Sequence, residues 1–193
     1  FIRQDGPTSH LVKRGTPTMG GLAIVAAVVI GYLVGNIGAG RSPGMSGILL
    51  LGLMIGMAGV GFADDFTKIS RKQSLGLTPW AKIAGLGIVG VAFAVLSLMF
   101  ADENNRTPAS MRISHVRDTG LSLAFAGTAV GIILFIIWAN FLITAWSNAV
   151  NLTDGLDGLS TGASIIAFGV YTLITMWQSN HPCYGLVDAA PGC

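Results

Sequence analysis

Five long apolar runs constrain this chain more than any other feature. They are roughly Thr18–Gly38, Met45–Phe62, Trp80–Phe100, Phe125–Trp146 and Leu156–Trp177. Each approaches or exceeds the ~20 residues needed to cross a hydrocarbon core as a helix. None carries the polar face that a core helix of a soluble protein presents to water. A segment inside lipid must satisfy its backbone groups internally, so the expected form is α-helical. The predicted class is therefore all-α, a polytopic transmembrane bundle, read as a single membrane domain over residues 1–193. Only 10% of residues are charged and 52% are hydrophobic, against about 25% charged in an ordinary soluble domain. The net charge of +2 and the lack of a long basic run exclude nucleic acid as a partner. The 27 glycines fit a membrane protein, because they let helix backbones approach closely. In the second run, LLLGLMIGMAGVG places small residues at helical spacing, predicting a tightly packed, protein-facing helix.

Lys and Arg in the connections set the orientation. The N-terminal segment, the second connection and the fourth share one side. That side holds Arg3, Lys13, Arg14, Lys68, Arg71, Lys72 and Lys82, against Arg41, Arg106, Arg112 and Arg117 opposite. The richer side is expected to be cytoplasmic. The connection from Ala101 to Ala124 is then extracytoplasmic. Its stretch Met111–Val116 alternates and allows a short hairpin strand, although an exposed loop cap is the plainer expectation. Cys183 and Cys193 fit either a disulfide or two free thiols, and no zinc pattern surrounds them. Trp138, Trp146 and Trp177 suit interfacial or packing positions. His10 suits an exposed loop or a phosphate contact, and His115 and His181 are given no role. A start at Phe1 and a loop-like end suggest a piece of a longer protein.

Three polar motifs fall on the predicted cytoplasmic side. The first is Lys13-Arg14-Gly15-Thr16-Pro17-Thr18-Met19-Gly20-Gly21. Thr16 can cap a helix that Pro17 begins. Lys13 and the helix N-terminus together would attract phosphate, and an ordinary capped, positively anchored helix is the alternative. The second is Asp64-Asp65-Phe66-Thr67-Lys68. Such a pair can offer oxygens to Mg²⁺ beside substrate phosphates, or one general base, or simply pair with Lys68 or Arg71. The third is Asn148-Ala149-Val150-Asn151-Leu152-Thr153-Asp154-Gly155-Leu156-Asp157-Gly158-Leu159. Asn151, Asp154 and Asp157 recur every third residue and share a face on a helix or tight turn. Gly155 and Gly158 allow backbone close to a ligand. Ionisable residues packed against spans are functional candidates by default, so the two acidic clusters suggest one metal-dependent site at the membrane surface.

GTPTMGG, ADDF and NAVNLTDGLDGL, in this order and spacing, resemble the polyprenyl-phosphate N-acetylhexosamine-1-phosphate transferases, and among them the phospho-N-acetylmuramoyl-pentapeptide transferases. The resemblance covers essentially the whole chain. It implies a multi-pass enzyme of the bacterial inner (cytoplasmic) membrane with its active site on the cytoplasmic face. The implied reaction moves phospho-MurNAc-pentapeptide from UDP-MurNAc-pentapeptide to undecaprenyl phosphate, giving lipid I and UMP for peptidoglycan synthesis, with Mg²⁺ as cofactor. It implies catalytic roles for Asp64, Asp65, Asp154 and Asp157, with Asp65 the candidate for base or lipid-phosphate activation. It implies substrate-binding roles for Lys13, Thr18, Lys68, Lys72 and Asn151, and leaves room for a homodimer. Family members have about ten spans, and these five resemble the second to sixth. The direct Asp ligand of the metal and a His-rich loop that helps recognise the sugar-peptide are then expected beyond Cys193. The piece alone is expected to be inactive and to hold the metal poorly.

Two other readings compete. A sister enzyme using UDP-GlcNAc shares the motifs, but many such relatives carry a further Asp soon after the pair, where Thr67 and Lys68 stand here. An ion-coupled transporter could use the four carboxylates as an ion path. Transporter sites, however, lie near the midplane on broken helices, and these carboxylates lie at span ends.

Overall fold

The structure is a computed structural model that describes residues 20–71, 76–101, 107–114, 118–153 and 158–180. Five helices carry the expected spans: α1 Gly20–Gly38, α2 Met45–Ser70, α3 Pro79–Met99, α4 Thr128–Thr153 and α5 Leu159–Asn180. All five are long and apolar enough to cross a membrane. The chain forms two compact units, one ending at Thr144 and the other beginning at Ala145.

In the first unit, α1 packs on α2 and α2 on α3. Tyr32, late in α1, meets Gly47, early in α2, and Val60, late in α2, meets Gly85, early in α3, so consecutive helices run in opposite directions. The α1 end is a glycine cap. Gly40 has φ +63°, its N–H donates to Ile37 O at 3.0 Å, and Arg41 N–H donates to Asn36 O at 3.0 Å. This pair of bonds closes orphan carbonyls in a Schellman motif, where a left-handed residue is needed. At the start of α3, Thr78 is the N-cap, its hydroxyl accepting from Ala81 N–H at 3.3 Å, and Pro79 opens the helix. Pro there costs no hydrogen bond, because its N–H would be an orphan anyway.

Glycines bring the first three helices together. A Cβ on Gly56 of α2 would press into Val89 of α3 at 2.7 Å, and one on Gly85 of α3 would meet Val60 at 3.1 Å. Gly47 of α2 faces the Tyr32 ring of α1 closely enough that a Cβ would overlap it. Few side chains are buried, among them Leu49, Ala94, Ser97 and Ala139. Large apolar residues such as Ile24, Ile37, Ile88 and Ile133 face outward. Lipid is as apolar as these side chains, so helix association rests on close packing of small residues rather than on hiding leucines from water.

After α3 comes a two-stranded antiparallel hairpin, β1 Arg112–Ser114 and β2 Asp118–Ser122, with a register irregularity between its two pairings. Ala109 N–H donates to Ser97 O at 3.1 Å and ties the hairpin stem to the end of α3. The hairpin exists where a loop cap was the plainer expectation.

Two helices run further than their apolar stretches. α2 continues past Phe62 to Ser70, and α4 past Trp146 to Thr153. In each extension a threonine hydroxyl bonds back to the preceding turn. Thr67 Oγ1 donates to Ala63 O at 2.6 Å, and Thr153 Oγ1 donates to Ala149 O at 2.8 Å. Lys68 in the last turn of α2 also complements the negative end of the helix dipole. In the second unit, Gly158 has φ +82° and its carbonyl accepts from Gly162 N–H at 2.8 Å, opening α5.

Candidate active site

Asp64 and Asp65 are neighbours in sequence but differ in surroundings. On a helix, adjacent side chains diverge by about 100°. Asp64 points toward the start of α3 and is buried, with 6% of its surface exposed. Asp65 keeps 48% of its side chain exposed.

Asp64 is saturated with partners. Its Oδ1 accepts from Leu77 N–H at 2.8 Å. Its Oδ2 takes Lys68 Nζ at 2.7 Å and Lys82 Nζ at 3.1 Å. A buried carboxylate is tolerated only when paired and hydrogen-bonded, and two ammonium groups with one amide meet that need. Gly76 is part of the arrangement. A Cβ there would overlap the Asp64 carboxylate and come within 2.7 Å of the Asp64 carbonyl oxygen. The turn between α2 and α3 therefore folds its backbone directly against this carboxylate.

Lys68 is shared. Besides Asp64 it donates to Asp65 Oδ1 at 2.9 Å. Spacings of three and four residues put all three side chains on adjoining parts of the helix surface. Asp65 Oδ2 has no partner among the described residues. Asp65 also lines a cavity of about 220 Å³ with Gly21 and Val25 of α1 and Ala58, Gly61 and Phe62 of α2. The start of α1, where the first motif ends, and the exposed carboxylate of the second motif thus open onto one space. Phe62 and Phe66 stack with centroids 5.7 Å apart and hold that stretch of α2 in shape.

The other predicted site residues are distributed as follows. Lys68 joins the Asp pair as anticipated from its spacing. Lys13, Thr18, Lys72, Asp154 and Asp157 lie outside the described residues. Asn151 lies in the last turn of α4. Two members of the cluster carried no site assignment in the sequence. Lys82 was counted only as a positive-side residue, and the Leu77 amide had no mark at all. The one available signal was Lys82's place in the first turn of a helix beginning at Thr78-Pro79, which returns it toward the end of α2.

Among the described residues, no group of three or more His, Cys, Asp or Glu side chains could hold a metal ion. Asp64 has no oxygen to spare. Asp65 has one, which suits Mg²⁺ only as part of a set, since that ion takes one or two protein carboxylates with phosphate and water oxygens.

Comparison with known proteins is consistent with this chemistry. The glycosyl transferase family 4 profile matches residues 45–190, and phospho-N-acetylmuramoyl-pentapeptide-transferase signature 1 matches residues 13–25. A curated phospho-N-acetylmuramoyl-pentapeptide-transferase of Beutenbergia cavernae is 63% identical over 193 residues, covering 100% of this chain and 54% of the relative. Those of Kocuria rhizophila and Renibacterium salmoninarum are 57% and 55% identical, covering 98% and 95% of this chain and 52% of each relative. The chain thus spans about half the length of the curated relatives it matches. No solved structure matches it. With a family profile over most of its length and a multi-pass helical architecture to carry it, the chain belongs to glycosyl transferase family 4.

Proposed function

We propose that the protein containing this chain transfers phospho-MurNAc-pentapeptide from UDP-MurNAc-pentapeptide to undecaprenyl phosphate, giving lipid I and UMP. The observation that carries the reading is the 63% identity, over the whole chain, to a relative named for that transfer. The signature over residues 13–25 supports the muramoyl donor over UDP-GlcNAc. The position of the Asp pair, in the last two turns of α2 rather than mid-span, speaks against an ion path through the membrane.

In this reaction a phosphate oxygen of the lipid attacks the β-phosphorus of the UDP-sugar. A new P–O bond forms at the β-phosphorus, the bond from that phosphorus to the bridging oxygen breaks, and UMP leaves carrying the bridging oxygen and the electron pair. Asp65 is the described group suited to act on the incoming phosphate. Its carboxylate is half-exposed, has one oxygen without a partner among the described residues and fronts the cavity beside Gly21. That cavity is apolar apart from Asp65, which fits an acceptor with a hydrocarbon tail. Asp64 holds the end of α2 against α3. Lys68 lies between the carboxylates, where a cation offsets the charge of arriving phosphates. Asn151, Asp154 and Asp157, with Lys13, Thr18 and Lys72, are proposed to complete the donor side. Mg²⁺ would neutralise phosphate oxygens when bound, with Asp65 as one partner and the remaining carboxylate supplied from beyond Cys193. The lysine-rich ends are proposed to face the cytoplasm of a bacterial inner membrane, and a homodimer is compatible with this arrangement.

The test uses the full-length protein in sealed vesicles of both orientations. UDP-MurNAc-pentapeptide supplied to the cytoplasmic face should yield lipid-linked product and UMP in equal amounts. UDP-GlcNAc, or the muramoyl donor supplied to the opposite face, should give neither. Turnover of UDP-GlcNAc in place of the muramoyl donor would move the protein to the sister activity.

A further inference from the structure

We infer that Lys82 is a positioning residue of the transfer site, deciding how Lys68 is divided between Asp64 and Asp65. This inference rests on the transferase reading above. Among the described residues, Lys82 is the cation that reaches the Asp pair from another helix, its Nζ 3.1 Å from Asp64 Oδ2. Lys68 reaches that same oxygen at 2.7 Å while holding Asp65 Oδ1 at 2.9 Å.

One ammonium thus bridges two carboxylates, and a second shares the buried one. Asp64 is buried and Asp65 half-exposed, so attraction for a cation is stronger at Asp64, where water screens less. With Lys82 in place, part of that demand is met from α3, and Lys68 can stay between the two. Without it, the buried carboxylate draws Lys68 inward and Asp65 loses its cation. The cluster also shifts from two acids and two bases to two acids and one base, at the point where anionic phosphates must arrive. Lys82 further joins the first turn of α3 to the last turns of α2 across the Gly76–Leu77 turn. Losing it relaxes the carboxylate that anchors that turn.

The experiment measures UMP release by the full-length protein, with kcat and KM for the UDP donor determined separately. Lys82→Met should lower kcat by ~10–100-fold, the scale seen when groups that orient a reacting residue are removed. Lys82→Arg keeps the charge and should recover most of the loss. In an Asp64→Asn background, Lys82→Met should cost little more, because residues acting through one partner are not additive. Thermal melting of each variant separates folding from turnover. Should Lys82→Met fail to accumulate, Lys82→Gln carries the same comparison. A purely structural lysine would lower the melting temperature and leave the kcat of folded enzyme unchanged, and that result overturns the inference. Full additivity with Asp64→Asn overturns it as well. A wild-type protein that releases no UMP overturns the transferase reading and this inference together. An active wild type with an equally active Lys82→Met overturns the inference alone.

Discussion

Asp64 and Asp65 show how a single helical step gives two identical side chains opposite surroundings, one buried and one half-exposed. Asp64 is buried and takes three donors. Asp65 is half-exposed, with one oxygen lacking a partner among the described residues. The pairing of Lys68 with both acids was readable from its spacing. The difference in surroundings was not, because it depends on Gly76, Leu77 and Lys82, which approach Asp64 only after the chain turns back into α3. Gly76 gives the sharpest stability test of this arrangement. Gly76→Ala places a methyl group into the Asp64 carboxylate and close to its carbonyl oxygen. Crowding of this kind costs about 1–3 kcal/mol. The variant should melt several degrees lower in detergent than the wild type. An unchanged melting temperature would mean that the turn does not rest on Asp64.

The elements were largely legible because apolar length alone demands helices in lipid. All five runs are helical, but of the glycines in LLLGLMIGMAGVG only Gly56 packs closely, against Val89, while Gly52, Gly59 and Gly61 face open space, so the expected tight packing of that stretch is met at one glycine. Their ends were less legible. α2 runs beyond its apolar stretch through the polar residues Asp64–Ser70, which hydropathy cannot register as helix. The hairpin was visible on one strand only. The second strand, DTGLS, contains glycine and lacks clear alternation, so pairing with β1 supplies what its own pattern does not. At this scale the α2–α3 contact is the one to perturb. Gly56→Ile drives a branched side chain into Val89 and should destabilise the bundle by about 1–3 kcal/mol, while Gly59→Ala enters open space and should leave melting near the wild-type value. Equal melting of the two variants would show that α2 and α3 do not meet through Gly56.

For the whole molecule, the described residues account for the acceptor-facing half of a proposed transfer site. In the third motif, whose amide and carboxylates recur every third residue, Asp154 and Asp157 lie outside the described residues. Its backbone enters α5 through Gly158, where φ of +82° favours glycine. A positioned proton-transfer or phosphate-contacting group contributes ~10²–10⁴-fold to rate. The most direct measurement is therefore single-turnover UMP release by the full-length protein and its Asp65→Asn variant, each at saturating donor and acceptor and each shown to be folded. The account predicts a loss within that range, with lipid-linked product falling in step with UMP. An Asp65→Asn enzyme that releases UMP at the wild-type rate would contradict it.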